Sequence, residues 1–396
     1  MKHLISLVSL FFFCNYLQGQ SLSMVQQKKS ALNGDIKALS ISPDGKQLAY
    51  GGSDNILKLF NIEEENEIHE FTNFYSDINC IIFSPDMQYI YSGSSDRTIE
   101  QINLNNYQNS TFRGHSTLVW SLALDASNRR LYSGSLEDRV RIWDTQIGKR
   151  VAELQGHKRN ASVMSVALNP DQTILASGAS DNTIILWDTK TGEALHVLHG
   201  HAGNIYDLEF TPKGNYLVSA SQDKTIRLWN TVSGKTVRVL KGHIQDVVSL
   251  SISPNGKHLI SGAYDKTIIL WNLTDGKKIY VFNDHEGVVN AVDFFPDEDQ
   301  FASGGNNGEL FLWKINPIVY IEQYYKQEYQ NELASNPLFS DQKEDEKRSE
   351  YKERLEKQKE IKTTIIKKYY AQYNDWLKTQ HYEDETSIKI SIDHED

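Results

Sequence analysis

The stretch GHAGNIYDLEFTPKGNYLVSASQDKTIRLWNTVSGKTVRVL, residues 200–240, holds four short runs: Asn204 to Phe210, Tyr216 to Ser221, Thr225 to Trp229 and Thr236 to Leu240. Each run is rich in Val, Ile, Leu or Tyr and is bounded by turn residues, the pattern of β-strands in hairpins. The first turn of such a unit is a Pro followed by a polar pair, as in Pro43-Asp44-Gly45 and Pro254-Asn255-Gly256. Proline presets the backbone there, and Gly or Asn tolerates positive φ. The second turn carries an acid and the third a glycine, at Gly148, Gly192, Gly234 and Gly276. Four antiparallel strands without a helical period make one propeller blade.

The unit recurs along the chain. Six of the eight prolines, Pro43, Pro85, Pro170, Pro212, Pro254 and Pro296, stand 42 residues apart or, once, 85. Trp143, Trp187, Trp229, Trp271 and Trp313 repeat nearly that spacing, and Ile102 and Phe60 continue the register backwards. A period of this length is the signature of a stacked array, and the count is seven units. The expectation is an all-β, seven-bladed propeller of four-stranded antiparallel blades over residues 20–316, with an α-helical extension after it.

At these residues the chain resembles the WD-repeat family. The match rests on Gly-His, Ser, Asp and Trp at fixed offsets: His157, Ser177, Asp181, Trp187; His201, Ser219, Asp223, Trp229; and His243, Ser261, Asp265, Trp271. The resemblance implies that the four side chains of a set form a hydrogen-bond relay inside one blade, which is stabilising only when every member is satisfied. Blade three varies it as His115, Ser133, Glu137, Trp143, and blade seven as His285, Ser303, Asn307, Trp313. Blades one and two have Leu32 and Phe74 for the His and Phe60 and Ile102 for the Trp, so apolar packing should hold them. The resemblance also implies binding through the rim that the turn acids and His positions define. In this chain that rim includes Tyr75, Asp77, Leu136, Arg159, Asn160, Gln222, Asp246 and Tyr264, a mixture of aromatic anchors and charges suited to an interface.

The seventh unit stops after its third strand, Leu310 to Ile315, while a segment of about Leu22 to Ala31 precedes the first inner strand. In register this segment matches an outer strand, so it should complete blade seven and cover an edge. Ahead of it, Lys2, the apolar run Leu4 to Cys14 and small Gly19 read as a secretory signal peptide over 1–19, shorter than the roughly 20 residues that span a bilayer. That places the mature chain outside the cytoplasm, secreted or periplasmic, with no membrane-spanning segment. Cys80 would then be its single cysteine, an inert thiol in an apolar strand.

Beyond Pro317 the composition changes, and nine of the twenty tyrosines follow Asn316. Residues 317–340 read as a linker and 381–396 as an acidic tail. Between them, 341–380 reads as one amphipathic helix with Tyr351, Leu355, Ile361, Ile365, Tyr369, Tyr373 and Trp376 on one face. That stripe either packs on the propeller or serves as a docking or self-association surface.

A net charge of −11 opposes nucleic acid and anionic lipid as partners. The fragment Ser233-Gly234-Lys235-Thr236 lacks the first glycine and the following helix of a phosphate-binding loop. The His-Ser-Asp sets share the composition of a catalytic triad, but they recur in several blades with a Trp attached, whereas a catalytic site is expected once. No cofactor or metal is expected, since the histidines are spread one per blade. The reading is therefore a non-enzymatic scaffold for a protein partner, the alternative being an enzyme or ligand-binding module with a site in the central channel.

Overall fold

The computed structural model describes residues 25–30, 32–297, 299–339 and 348–379. The expected signal peptide and acidic tail lie outside them. Two compact units emerge, a strand-built one over 26–314 and a helical one over 315–373.

The first unit is seven four-stranded sheets. Blade five, for instance, runs Ile205–Phe210, Tyr216–Ser221, Thr225–Asn230 and Thr236–Lys241 from inside to outside. The second strand is flanked by sheet on both sides and faced by both neighbouring blades. In blades five and six it is accordingly buried at every position. Adjacent blades approach closely enough to dictate glycine: a Cβ on Gly178 would sit 2.5 Å from Ile205 Cγ2, and one on Gly262 would sit 2.7 Å from Val289 Cγ1, below any real contact. Between blades five and six, Tyr216, Val218, Leu228, Val247, Leu250 and Leu259 pack as one apolar layer. Blade seven comprises Val289–Phe294, Gln300–Gly305, Glu309–Lys314 and the N-terminal strand Val25–Ser30.

Blades one and two pack as apolar layers where the relay residues are missing. Leu32, Phe60, Phe74 and Ile102 are all buried. In blade two the relay serine remains, and Ser92 Oγ is buried without a hydrogen-bond partner.

The helical unit differs from the sequence reading. Residues 317–340, read as a linker, form α1 (Ile318–Tyr324), α2 (Lys326–Ser335) and a short turn, Pro337–Phe339. The long helix α3 spans Arg348–Thr379. Its stripe packs on α1 and α2: Ile365 and Tyr369 join Ile318, Ile321 and Tyr329 in a buried cluster. Tyr373 stacks on Tyr320 at 4.8 Å, and Tyr369 OH donates to Glu332 at 2.8 Å. Two helices too short for a clear period hid this partner from the sequence. Among the described residues no helix is long and apolar enough to cross a membrane.

Candidate functional site

In blade five His201 Nε2 lies 2.7 Å from Ser219 Oγ, and Trp229 Nε1 donates to the same oxygen at 2.8 Å. His201 Nδ1 faces Asp223 Oδ2 at 2.7 Å. These partners assign the proton to Nδ1, leaving Nε2 to accept from the serine hydroxyl. The carboxylate also accepts from the Ala202 amide and the Thr225 amide and hydroxyl, at 3.0, 2.9 and 2.6 Å. Burial alone would raise Asp223, but the bonds from His201 and Thr225 outweigh it and hold the carboxyl well below its usual range. Blades four and six repeat the set, with His157 and His243 bonded to Ser177 and Ser261 at 2.8 and 2.7 Å. Trp187 and Trp271 complete them, each at 2.8 Å. In blade six the same balance holds Asp265 at about 2.

Two blades depart from the set. In blade three Arg141 Nη2 draws Glu137 to 2.5 Å, leaving its other oxygen 3.5 Å from His115 Nδ1, too far for a good hydrogen bond to the neutral ring that burial favours. In blade seven the sequence reading is corrected. Asn307 adopts φ 60 and turns its amide to Asp35, while Glu309 Oε2 lies 3.1 Å from His285 Nδ1. Glu309 occupies the position that Thr183, Thr225 and Thr267 hold in the complete sets, and its longer side chain replaces the missing turn acid.

The relay serines Ser133, Ser177, Ser219, Ser261 and Ser303 are all fully buried. Each hydroxyl is sealed between imidazole and indole, so the sets are structural pins that cannot reach a substrate. Among the described residues no group of three His, Cys, Asp or Glu side chains is placed to hold a metal ion. Burial pushes the Cys80 thiol up to about 12, and the group stays a thiol.

The inner strands surround a central channel, a space of about 630 Å³. Its mouth is made by a feature that sequence reading missed. The register between the first and second strand slips once in every blade, at Ile36/Ala38, Ile78/Cys80, Val119/Ser121, Val163/Ser165, Ile205/Asp207, Val247/Ser249 and Val289/Ala291. The extra residues are Lys37, Asn79, Trp120, Met164, Tyr206, Val248 and Asn290, and all seven line the channel. A bulge re-aims a side chain, and here it does so in a ring. Four of them reach the next blade: Lys37 to Asp77 at 2.5 Å, Asn79 to the Val119 carbonyl at 3.0 Å, Tyr206 to Asp246 at 3.3 Å and Asn290 to the Ile36 carbonyl at 2.9 Å. Trp120 and Val248 present apolar surface instead, and Met164 is buried.

Deeper in the ring, the inner strands leave backbone N–H groups unpaired by sheet, and side chains of the preceding blade accept from them. Asp207 accepts from Leu250, Glu209 from Ile252 and Asp293 from Ile41, each at 2.8 Å. Ser249 and Ser251 do the same for Val292 and Phe294, both at 3.0 Å. Burial raises Asp207 to about 7 and Asp293 to about 6, and burial with the two neighbouring acids raises Glu209 well above its usual value. Converging acids would mark a channel active site, but each of these is committed to a main-chain amide.

Of the sequence-derived rim residues, Tyr264 lines the channel, while Leu136, Arg159 and Asn160 line a separate groove. Tyr75 is 85% exposed, while Tyr264 and Leu136 are near 40%. Asp77 and Asp246 are the partners of Lys37 and Tyr206. Gln222 is exposed and accepts from the Asn204 amide at 3.4 Å. Arg159 and Asn160 face Leu136 and Arg139 across a separate groove of about 460 Å³.

Seven four-stranded blades, with relay sets in blades three to seven, are the architecture of a WD-repeat propeller. The WD40 family, "WD domain, G-beta repeat", matches residues 106–144, 148–188, 192–230, 234–272 and 276–314, and the "Anaphase-promoting complex subunit 4 WD40 domain" family matches 13–86. The chain belongs to the WD40-repeat family. It is 31% identical over 118 residues to the COMPASS component SWD3 of Saccharomyces cerevisiae, covering 30% of this chain and 37% of that one. It is 28% identical over 133 residues to human striatin (28% of this chain, 17% of striatin). It is 30% identical over 115 residues to the WD repeat and HMG-box DNA-binding protein 1 of Mus musculus (29% and 10%). The matched segments thus span well under two thirds of these relatives.

Proposed function

We propose that the chain is a non-enzymatic scaffold that captures a protein partner on the channel mouth, in the secretory or periplasmic space. The observation that carries this reading is the ring of seven bulges, which lines one opening with Trp120, Tyr206 and Lys37 together with exposed Tyr264, while Asp77 and Asp246 bond to Lys37 and Tyr206. Aromatic side chains mixed with charged and hydrogen-bonding ones are the make-up of a protein interface. The relay hydroxyls are buried inside the blades and Asp207 and Asp293 each accept from a main-chain amide, which supports a binding role over catalysis. A similar protein named as a component of a larger assembly agrees with it.

The test begins with crosslinking of the full chain in its native extract and identification of the captured protein. Purified partner is then titrated against Trp120→Ala/Tyr264→Ala and against Tyr75→Ala/Arg159→Ala. At least tenfold weaker binding by the first variant, with an unshifted melting curve, is expected. Full retention by both variants, with loss on truncation at Asn316, would move the interaction to the helical unit. The location is checked separately, by sequencing the N-terminus of the native protein.

A further inference from the structure

The third strand of each blade has, just before the Trp position, a side chain that fills the seam between blades. It is Leu59, Ile142, Leu186, Leu228, Leu270 and Leu312 in six blades, and the first five of these are at most 7% exposed. In blade two it is Gln101. The seam opens at that point into a cleft of about 580 Å³, away from the channel, whose lining includes eight Asn or Gln side chains from blades two and three.

The wall of this cleft is built rather than merely polar. Gln101 Nε2 donates to Tyr91 OH at 2.8 Å and to the Thr145 carbonyl at 3.3 Å, and Tyr91 OH donates to Asn128 Oδ1 at 2.7 Å. Tyr91 is itself fully buried. Asn128 Nδ2 in turn approaches Asp86 Oδ2 at 3.4 Å. At the open side, among the described residues, the carboxamides of Gln108 and Gln146 make no hydrogen bond and face solvent.

The lining defines the ligand. It contains neither Lys nor Arg, so it offers nothing to a phosphate or sulfate. Its apolar surface is slight, so it offers nothing to a lipid. A carboxamide places a donor and an acceptor side by side in one plane, which matches a pair of adjacent hydroxyls that each donate and accept. Asp86 Oδ1 already accepts from the Ser84 hydroxyl and the Gln88 amide, so its Oδ2, which Asn128 approaches at 3.4 Å, adds an acceptor for one such hydroxyl, and the ring of Tyr89 adds a flat face for the C–H side of a pyranose.

We propose that the cleft between blades two and three binds a neutral oligosaccharide, with Gln101, Asn128 and Asp86 at its floor and Gln108 and Gln146 at its edge. The site is independent of the channel mouth, so it stands or falls apart from the protein-docking reading.

The full chain is titrated by calorimetry with cellotriose, maltotriose and tri-N-acetylchitotriose. Binding of at least one is expected. Gln101→Leu restores the filling used by the other blades, and it should weaken that binding at least tenfold while leaving the melting temperature unchanged or higher. Gln108→Ala, on the exposed edge, should weaken it several-fold without touching the fold, and covers the case in which Gln101→Leu repacks badly. No binding of any of the three at millimolar sugar would overturn the proposal. So would binding that survives both substitutions, or capture of an extended Gly-Ser peptide in their place.

Discussion

Glu309 Oε2 sits 3.1 Å from Nδ1 of His285, doing in blade seven what Asp223 does for His201 in blade five from a position two residues earlier in its repeat. The turn residue that should have supplied the acid, Asn307, bends its backbone to φ 60 and contacts Asp35 instead. A carboxylate from the start of a strand has replaced one from the turn before it.

Exchange at these two positions should therefore be unequal. Glu309→Ala removes the carboxylate that faces Nδ1 of buried His285, and a cost of about 2–4 kcal/mol is expected in denaturant melts. Asn307→Gly keeps the positive φ and should stay within about 0.5 kcal/mol of the parent. Equal losses would show that the relay in blade seven is closed some other way.

The serines of the relay should separate in the same manner. Ser219→Ala removes the oxygen shared by His201 and Trp229, and about 1–3 kcal/mol is expected. Ser92→Ala in blade two removes an oxygen that bonds nothing, so the melting curve should hold its place or rise. A large loss at Ser92 would reveal a bond that the structure does not show.

Asp207 and Asp293 carry folded pKa values of about 7 and about 6, above the ordinary 3.8. A raised acid holds its proton more firmly in the folded state, so its contribution to stability is full below pH 3.8 and is lost as pH rises through 6 to 7. His115, His201 and His258 are lowered by burial and drive stability the opposite way between acid and neutral pH. The measurement must therefore read the difference between the parent and Asp207→Asn/Asp293→Asn, in urea at pH 4.5, 6 and 8. The parent should lose stability relative to the variant as pH rises. A difference that is flat, or that grows in the parent's favour, would show these carboxyls ionised throughout.

Removing residues 25–30 strips the fourth strand from blade seven and bares Glu309–Lys314 as an edge. A lower melting temperature and higher-order species in light scattering are expected, because an uncovered edge pairs with other chains. An unchanged monomer would mean that the ring closes on its other contacts.

Much of this architecture was legible because it rests on single residue types at fixed offsets. Trp143 through Trp313 carry the register, and the buried His, Ser and Asp partners need the same geometry in blades four, five and six. What escaped notice depends on contacts that spacing does not encode. The bulge that turns Trp120 and Tyr206 into the mouth looks, in sequence, like two ordinary strand residues. Glu309 reads as a strand start until His285 is found beside it. Helices α1 and α2 are too brief for periodicity to declare, yet they supply Ile321 and Tyr329, which cover the stripe on α3.

The strand Val25–Ser30 belongs to the same sheet as Glu309–Lys314, which the ribosome makes some 280 residues later. At roughly 5–20 residues per second, that strand emerges tens of seconds before its seat exists. Six blades can form while it waits, and the ring locks only when synthesis reaches the seventh. Among the described residues the earliest-made strand is thus the last to settle, and during that interval it is the segment a chaperone would have reason to hold.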